Sequence, residues 1–524
     1  MTMDAVPGTG PLLAARQFLT AADLGDEAGR GTLPDAGLPQ IIQGGMGVGV
    51  SGWPLARAVA QAGQLGVVSG VALDAVLARR LQLGDPGGHL REALARFPAP
   101  GTAERILKRY YVPGGISPGA PFRPVPRLAL RPNPWRDALA AAANFAHVWL
   151  ARQGHSGPVG INYLEKIQLA TPAAVYGAML AGVDYVLMGA GIPSEIPALL
   201  DTLAAGKPAE LPVDVTGAAP GERHTVTLDP RKLAEPDAPV RRPRFLAIVS
   251  SAVLAGYLNR TAATRPDGFV LEGPTAGGHS APPRGRMQLS PGGEPVYGAR
   301  DLIDLPKVAA TGLPFWLAGG HATPQALAAA RAAGAAGIQA GTAFALCTES
   351  GLDPGLRRQL LARAAGGTLT VRNEPHASPA GFPFKVAQLQ GTLSDDDTYR
   401  RRPRLCDLGY LRAPYRRPDG TVGYRCPGEP ADVCARKGGD AGDTAGVRCL
   451  CNGLTAAIGL GQHRPDGYAE PPLLTLGQDL GFLPGLPPGE YTAADVIRYL
   501  LGPDPVQKGA SRPNGMASSG WRSR

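Results

Sequence analysis

The chain has 524 residues, 52 Lys and Arg against 43 Asp and Glu, and a net charge of +9. Its 72 Gly and 53 Pro are spread without a short repeat, which excludes a fibrous protein and favours a loop-rich globular enzyme with one large domain. The N-terminus has no long apolar run, and no stretch of membrane-spanning length lacks polar breaks. We therefore expect a cytoplasmic protein with no membrane partner.

The positive charge is concentrated near the C-terminus. Residues 400–448 carry 11 Arg and Lys against 6 Asp and Glu, and residues 505–524 carry 4 with no acid. A basic end can contact an acidic partner or nucleic acid. We prefer the simpler interpretation, a solvated face followed by a loose tail, and expect no nucleic-acid partner.

Eight short apolar runs, most of them bounded by glycine, recur along the chain. They are rich in Val, Ile, Leu or aromatic residues and lack strict alternation, as expected of strands buried on both faces. In chain order they are QIIQGGM (40–46), LGVVSG (65–70), PVGINYL (158–164), DYVLMGAG (184–191), RFLAIVSS (244–251), DGFVLEG (267–273), PFWLAGG (314–320) and GIQAGTAF (337–344).

Helical patterns separate these runs. WPLARAVAQAG follows the first run, TPAAVYGAMLAG the third and TPQALAAARAAGA the seventh. The last two open with Thr-Pro, a capping residue followed by proline at the first helical position. Strands alternating with helices in this way predict an α/β fold, a closed (β/α)8 TIM barrel, with a doubly wound open sheet as the alternative.

Insertions and terminal additions extend the predicted barrel. The proposed organisation is an N-terminal extension (1–37), a barrel (38–368) with insertions at about 74–157 and 207–243, a cysteine- and arginine-rich C-terminal module packed on the barrel (369–502), and a disordered tail (503–524).

The segment EGPTAGGH (272–279) follows the sixth predicted strand. In a barrel the C-terminal strand ends carry the active site. Gly277 and Gly278 would let the backbone approach a flat ligand, and His279 at the mouth could transfer a proton near neutral pH. A histidine that only caps the loop is the alternative, but its position at a strand end among glycines favours catalysis.

Glycines also follow three other strands, in GGMGVGVSG, LAGGH and GIQAGT. Those of the seventh and eighth strands lie where barrels usually bind a phosphate. Each motif alone is compatible with a tight turn. Together they predict one site with a ring end and a phosphate end, which fits FMN.

These motifs resemble the nitronate monooxygenase family, formerly called 2-nitropropane dioxygenases, which are FMN-containing TIM barrels. The resemblance spans residues 38 to 365. It rests on AGGH (276–279), supported in the family's order by IIQGGMG (41–47), GIN (160–162), LAGG (317–320) and GIQAGTAF (337–344).

The resemblance implies a function and a set of site residues. His279 would be the catalytic base in the oxidation of nitronates or nitroalkanes by O2 to a carbonyl compound and nitrite. The partners would be the small-molecule substrate and O2. The oligomeric state is left open, and no metal ligand is assigned. The residues expected to bind FMN are Gly45, Met46, Asn162, Glu272, Gly277, Gly278, Gly319, Gly320, Gly341 and Thr342, the last four at the phosphate.

The sequence departs from the family pattern at three places. Glu272 stands where nitronate oxidisers often have an amide, Pro274-Thr275 stands where an acidic residue is common, and Lys166 in LEKIQ could meet an anionic substrate or be a solvated lysine. A carboxylate at 272 is closer to the FMN-dependent enoyl-acyl-carrier-protein reductases, which use NAD(P)H and share AGGH.

Two other classes of protein agree less well with the sequence. An IMP-dehydrogenase-like barrel would need a cysteine after the sixth strand, where this chain has His279 and no cysteine. A non-catalytic flavin- or metal-binding protein is disfavoured by the intact AGGH motif.

Five of the six cysteines lie within 46 residues: Cys406, Cys426, Cys434, Cys449 and Cys451. Stable disulfides are not expected in the cytoplasm. A structural metal is one interpretation. Because no C-x2-C pair is present, packed or redox-active thiols are preferred. Around them, GYLRAPYRRPDGTVGYRC (409–426) predicts a β-hairpin that covers the flavin pocket.

Overall fold

Eight parallel strands form one sheet that closes on itself in the computed structural model, which describes residues 37–236 and 238–502. The strands are β1 (Ile41–Gln43), β2 (Gly66–Ser69), β3 (Val159–Leu164), β4 (Tyr185–Gly189), β5 (Arg244–Val249), β6 (Gly268–Glu272), β7 (Phe315–Ala318) and β8 (Gly337–Ala340).

The pairing order identifies the barrel. Each strand from β2 to β8 pairs with the next in the chain, and β8 pairs with β1. A parallel bridge between Ile42 and Leu65 then joins β1 to the residue before β2. The prediction of a (β/α)8 TIM barrel is confirmed, and all eight predicted runs supply its strands.

Burial explains why the apolar runs do not alternate. Every residue of β1, β2, β4 and β7 is buried. One face of each strand meets the barrel interior and the other is covered by the surrounding chain, so both faces require apolar side chains.

Sixteen α-helices lie in the described part of the chain. They span Trp53–Gln61, Leu73–Gln82, His89–Leu94, Pro100–Tyr110, Pro134–Ala151, Thr171–Leu180, Ile196–Ala204, Ala252–Leu258, Leu305–Ala309, Pro324–Ala332, Thr342–Ala345, Pro354–Ala365, Asp396–Arg401, Ala431–Arg436, Leu450–Ala456 and Ala493–Leu501. No helix among the described residues is both long and apolar enough to cross a membrane.

The two predicted Thr-Pro helix starts behave differently. Thr323 caps its helix, because its side chain accepts from the Ala326 N–H at 3.2 Å. Thr171 is instead the first helical residue, and its hydroxyl donates to the Ile167 carbonyl. A 3-10 turn at Gln168–Ala170 runs directly into this helix, so no free N-terminus is left for Thr171 to cap.

The long interruption between β2 and β3 is helical, and the one between β4 and β5 contains a hairpin. The hairpin pairs Ala209–Pro212 with Thr225–Leu228. The predicted N-terminal extension, apart from residue 37, and the predicted tail (503–524) lie outside the described residues.

The segment after residue 369 contains two antiparallel hairpins. One pairs Val371–Glu374 with Phe384–Ala387, and the other pairs Ala413–Arg416 with Val422–Arg425 around Pro-Asp-Gly. This segment also contacts the β2–β3 insertion, where Arg79 forms a 2.5 Å ion pair with Asp407.

The second hairpin, predicted within residues 409–426, is confirmed as an element. It packs on the insertions, since Tyr415 bridges to Thr216 and the Tyr424 hydroxyl accepts from the Leu130 N–H at 2.6 Å. Neither of its paired strands lines the cavity, but Tyr410 and Leu411, which precede the first strand within the predicted stretch 409–426, do line it. Leu450, Cys451 and Leu454 of the same segment also line the cavity.

Candidate functional site

A large cavity opens at the C-terminal ends of the barrel strands. Its volume is about 1570 Å³, including the solvent at its open side. It brings together His279 and the whole predicted cofactor set: Gly45, Met46, Asn162, Glu272, Gly277, Gly278, Gly319, Gly320, Gly341 and Thr342. These residues come from the ends of five strands, β1, β3, β6, β7 and β8, which meet here because parallel strands of a barrel all end at one face.

Lys166 does not line this cavity. It forms an ion pair with the neighbouring Glu165 at 3.2 Å, with 37% of its side chain exposed. Of the two interpretations of Lys166, the structure matches the solvated lysine.

The glycines of the site are close to other parts of the protein. A Cβ on Gly45 would lie 2.3 Å from Asn162 Cβ, and one on Gly277 would lie 2.8 Å from the Gly477 nitrogen. Gly319 and Gly320 have φ values of +88° and +72°, which side chains other than glycine rarely adopt. Close packing around the cavity, together with backbone geometry, therefore requires glycine at these positions.

Two half-buried residues, each with one buried amide oxygen that has no hydrogen-bond partner, face the cavity. They are Asn162, through Oδ1, and Gln339, through Oε1, and both residues line the cavity. A buried polar atom without a partner is costly. A flavin ring carries donors and acceptors along one edge, so the two amides fit such a ligand. Gln339 was missed by sequence reasoning, although it lies within the GIQAGT motif.

His279 is held by residues of the C-terminal segment. Its Nε2 lies 2.7 Å from Ser378 Oγ, and its ring packs edge-on against Phe384 at 4.9 Å between centroids. Burial lowers the pKa of His279 to about 4. The imidazole is therefore neutral at pH 7, with one nitrogen free to accept a proton or a hydrogen bond.

Lys385 fastens the loop that carries His279. This lysine is fully buried, and its Nζ donates to the Pro274 carbonyl at 2.6 Å and to Ser280 Oγ at 2.5 Å. Its backbone N–H donates to the Gly278 carbonyl at 2.9 Å. The Lys385 side chain thus binds both ends of the loop 274–280, and the Lys385 backbone binds Gly278 within it.

Glu272 and Lys385 influence each other's charge. Burial raises the pKa of Glu272 to about 7, although the Lys385 charge opposes the rise. Burial lowers the pKa of Lys385 to about 8, against the opposite effect of Glu272 and Glu294. The cavity floor therefore contains a carboxyl group that titrates near neutral pH.

A second part of the C-terminal segment, Thr475–Asp479, lies across the predicted phosphate end. Thr475 Oγ1 accepts from the Gly278 N–H at 2.9 Å, and the Gly477 N–H donates to Thr342 Oγ1 at 2.7 Å. Sequence reasoning missed this segment because it lies outside the barrel period.

Asp479 introduces a negative charge at that end. A Cβ on Gly320 would lie 3.2 Å from Asp479 Oδ2, and Asp479 lines the cavity. Like charges within a few ångströms repel. The ring end of the cavity fits FMN without such a conflict, whereas the phosphate end combines flexible glycine backbone with an opposing carboxylate.

Replacing Asp479 by Asn is expected to tighten FMN binding, by a factor of several, because it removes this repulsion. The amide oxygen keeps the acceptor for the Gly481 N–H. Titration with FMN and riboflavin measures the effect, since riboflavin lacks the phosphate and should bind both proteins equally. Equal changes for the two flavins would mean that the phosphate lies elsewhere.

The geometry of this site can now be compared with known proteins. Residues 239–375, which include β5 to β8, His279 and the first strand of the C-terminal segment, match the family model described as nitronate monooxygenase. The predicted resemblance to the nitronate monooxygenase family is confirmed. The match covers the part of the chain that carries AGGH.

Two curated proteins are similar to about a quarter of the chain. A (3aS,4S,5R,7aS)-5-hydroxy-7a-methyl-1-oxo-octahydro-1H-indene-4-carboxyl-CoA dehydrogenase of Mycobacterium tuberculosis (strain ATCC 25618 / H37Rv) is 28% identical over 143 residues, and its counterpart from Rhodococcus jostii (strain RHA1) is 30% identical over 141 residues. Each match covers 27% of this chain, and 36% and 34% of the two relatives. The chain thus matches about a third of their length.

Solved structures show a more distant likeness. FabK from Thermotoga maritima is 17% identical with a TM-score of 0.44, and covers 88% of this chain and 91% of its own. Nitroalkane oxidase from Streptomyces ansochromogenes is 16% identical with a TM-score of 0.42, and covers 89% and 95%. At these scores the likeness supports no assignment beyond the nitronate monooxygenase match.

Proposed function

We propose that the protein is an FMN-dependent oxidoreductase that oxidises nitronates or nitroalkanes with O2 to a carbonyl compound and nitrite. The observation that carries this proposal is the position of His279 in one cavity with the unpartnered amide oxygens of Asn162 and Gln339. The family match over residues 239–375 supports the same class of reaction.

The residues that would hold FMN fall into two groups. Asn162 and Gln339 would pair with the ring edge, beside Gly45 and Met46. The phosphate would lie near the glycine backbone at the ends of β7 and β8 and near Thr342. When bound, FMN supplies the redox chemistry by accepting electrons from the substrate and passing them to O2.

The chain's own residues would move the proton and shape the pocket. When Nε2 of His279 donates to Ser378, Nδ1 keeps the lone pair that a base requires to accept a proton from the carbon next to a nitro group. Phe384 packs against the same ring and limits water around it. Lys385 acts as a positioning residue, because it holds the loop and does not line the cavity.

A second candidate is an FMN-dependent enoyl-thioester reductase that uses NAD(P)H. The specific observation in its favour is Glu272, whose carboxyl group lines the same cavity as His279. The two curated relatives are named as dehydrogenases of a carboxyl-CoA compound, which is also a thioester. A non-catalytic flavin- or metal-binding protein is the third possibility.

The flavin content tests the whole proposal. The protein is expected to purify yellow and to release FMN on denaturation, measured by its visible spectrum and by chromatography of the released flavin. The chromatography must distinguish FMN from FAD, because GVGVSG (47–52) has the glycine spacing of dinucleotide-binding loops. A colourless protein that takes up no flavin is incompatible with both enzyme candidates.

The two enzyme candidates differ in what reduces the flavin. Without air, a nitronate should bleach the flavin and NADPH should not. The reverse result, with reduction of an enoyl thioester, would favour the second candidate.

The pH dependence should report Glu272 rather than His279. As pH rises through about 7, Glu272 becomes charged, and the added negative charge should weaken binding of an anionic nitronate. His279 titrates near pH 4 and stays neutral across this range. We expect kcat/KM for a preformed nitronate to fall as pH rises through about 7 in the wild type, and we expect this inflection to be absent in Glu272→Gln. An unchanged inflection in Glu272→Gln would assign the titration to another group.

A further inference from the structure

Four cysteines of the C-terminal segment lie together beside the cavity. We call Cys406, Cys426, Cys449 and Cys451 the cysteine tetrad. Each of the four thiols interacts electrostatically with the other three. Cys434, the remaining cysteine of this segment, interacts with charged side chains instead and does not belong to the tetrad.

Local structure brings three members of the tetrad together. Cys449 and Cys451 lie at the start of the helix Leu450–Ala456. Cys426 approaches them through Gly428, where an added Cβ would lie 3.5 Å from Cys426 Sγ and 3.9 Å from Cys449 Cα. The chain thus packs tightly on the side where these cysteines meet.

Asn452 connects the fourth member to this helix. Its Nδ2 donates to the Leu405 carbonyl at 3.1 Å, and its Oδ1 accepts from the Leu408 N–H at 3.4 Å. These bonds hold the chain on both sides of Cys406. A fully buried asparagine next to Cys451 thus fixes a cysteine that is distant in sequence.

Backbone N–H groups are directed at three of the four sulfurs. A neutral thiol is a weak acceptor, whereas hydrogen bonds to cysteine sulfur are a usual feature of iron–sulfur sites. The donors are Gly428 N–H to Cys426 Sγ at 3.4 Å, Asn452 N–H to Cys449 Sγ, and Tyr410 and Leu411 N–H to Cys451 Sγ.

Three arginines supply positive charge around the tetrad. Arg402 interacts with Cys449, and Arg127 and Arg412 interact with Cys406. Arginine stays charged at all relevant pH values. Glu429 and Glu470 interact with the same two cysteines, Cys406 and Cys449, so both signs of charge lie beside the tetrad.

We propose that the cysteine tetrad binds an iron–sulfur cluster. Four cysteines are the usual ligand set of both [2Fe–2S] and [4Fe–4S] clusters. Each thiol would lose its proton as its sulfur binds iron, and the N–H groups and arginines described above would stabilise the resulting negative charge.

The arrangement differs from that of a single metal ion. Among residues 37–236 and 238–502, no group of three or more His, Cys, Asp or Glu is arranged to hold one metal ion. A tetrahedral zinc draws four sulfurs to about 2.3 Å from one point. A cluster distributes its cysteines over several iron atoms, so the four thiols need only face a shared space.

The proposed cluster would lie in the wall of the candidate pocket. Cys451 lines the cavity, together with Leu450 and Leu454 of the same helix. The proposal does not rest on the proposed function, since it follows from the tetrad whatever reaction the cavity performs.

The test uses the full chain purified without oxygen, as isolated and after incubation with ferrous iron and sulfide. Iron, zinc and acid-labile sulfide are measured per chain, and electron paramagnetic resonance is recorded after reduction. We expect iron and sulfide in the wild type and a loss of most of both in Cys→Ser variants of each tetrad member. Cys434→Ser is the matched control and should keep both.

The wild-type protein alone can overturn the proposal, even if the tetrad variants fail to fold. Zinc without sulfide would make the tetrad a single-metal site. Neither iron nor sulfide after incubation would make it a group of packed thiols. Equal loss in Cys434→Ser would show that the effect of the variants is not specific to the tetrad.

Discussion

Replacing His279 by Ala is expected to slow turnover of a neutral nitroalkane by roughly 10²-fold or more, the usual effect of losing a general base. Turnover of the preformed nitronate should fall much less, because its proton has already been removed. Flavin content should be unchanged, since Asn162, Gln339 and the glycine backbone remain. Steady-state rates on the two forms of one nitro compound measure the difference.

A matched histidine outside the cavity provides the control. His376 is exposed and does not line the pocket, so His376→Ala should leave both rates unchanged. Equal losses on the nitroalkane and the nitronate in His279→Ala would show that His279 orients the substrate and does not remove its proton.

Truncation after residue 368 is expected to have the largest effect on the protein as a whole. It removes Lys385 and Ser378, which hold the loop of His279, and the cavity wall formed by Phe384, Leu454 and Phe482. It also leaves the buried Arg79 without Asp407, and an uncompensated buried charge costs about 3–5 kcal/mol. We expect an insoluble protein, or a flavin that solvent quenchers reach freely.

A shorter truncation separates this effect from a general sensitivity of the C-terminus. Removing residues 503–524 alone keeps every contact described above, so that variant should retain wild-type solubility and flavin fluorescence. A soluble protein that ends at residue 368 with unchanged activity would mean that the C-terminal segment is an independent appendage.

The barrel and half of the candidate site could be predicted from local patterns. A strand buried on both faces needs a continuous apolar run, and the eight runs in the sequence all became barrel strands. Since a barrel places all C-terminal strand ends at one face, the glycine motifs and His279 had to meet. The same reasoning gave no information on Lys166, whose position after a strand end does not fix where its side chain points.

The other half of the site depended on contacts that no local pattern encodes. His279 meets Ser378 across 99 residues, and Gly278 meets Thr475 across 197. The hairpin strand Phe384–Ala387 pairs with the loop that carries His279, through Gly278 and His279. This pairing forms because that side of the hairpin lies beside the barrel mouth. Lys385 looks like an ordinary surface residue in the sequence, and only its complete burial reveals its role.

The sequence by itself determined the barrel and the face at which its strand-end glycines and His279 meet, because strand periodicity and strand-end glycines are local properties. Tertiary structure alone decided which parts of the C-terminal segment close the cavity and which charges lie beside it. It also selected four of the five neighbouring cysteines as one group. These contacts join residues that are distant in the chain, and the surfaces that make them exist only after the barrel has formed.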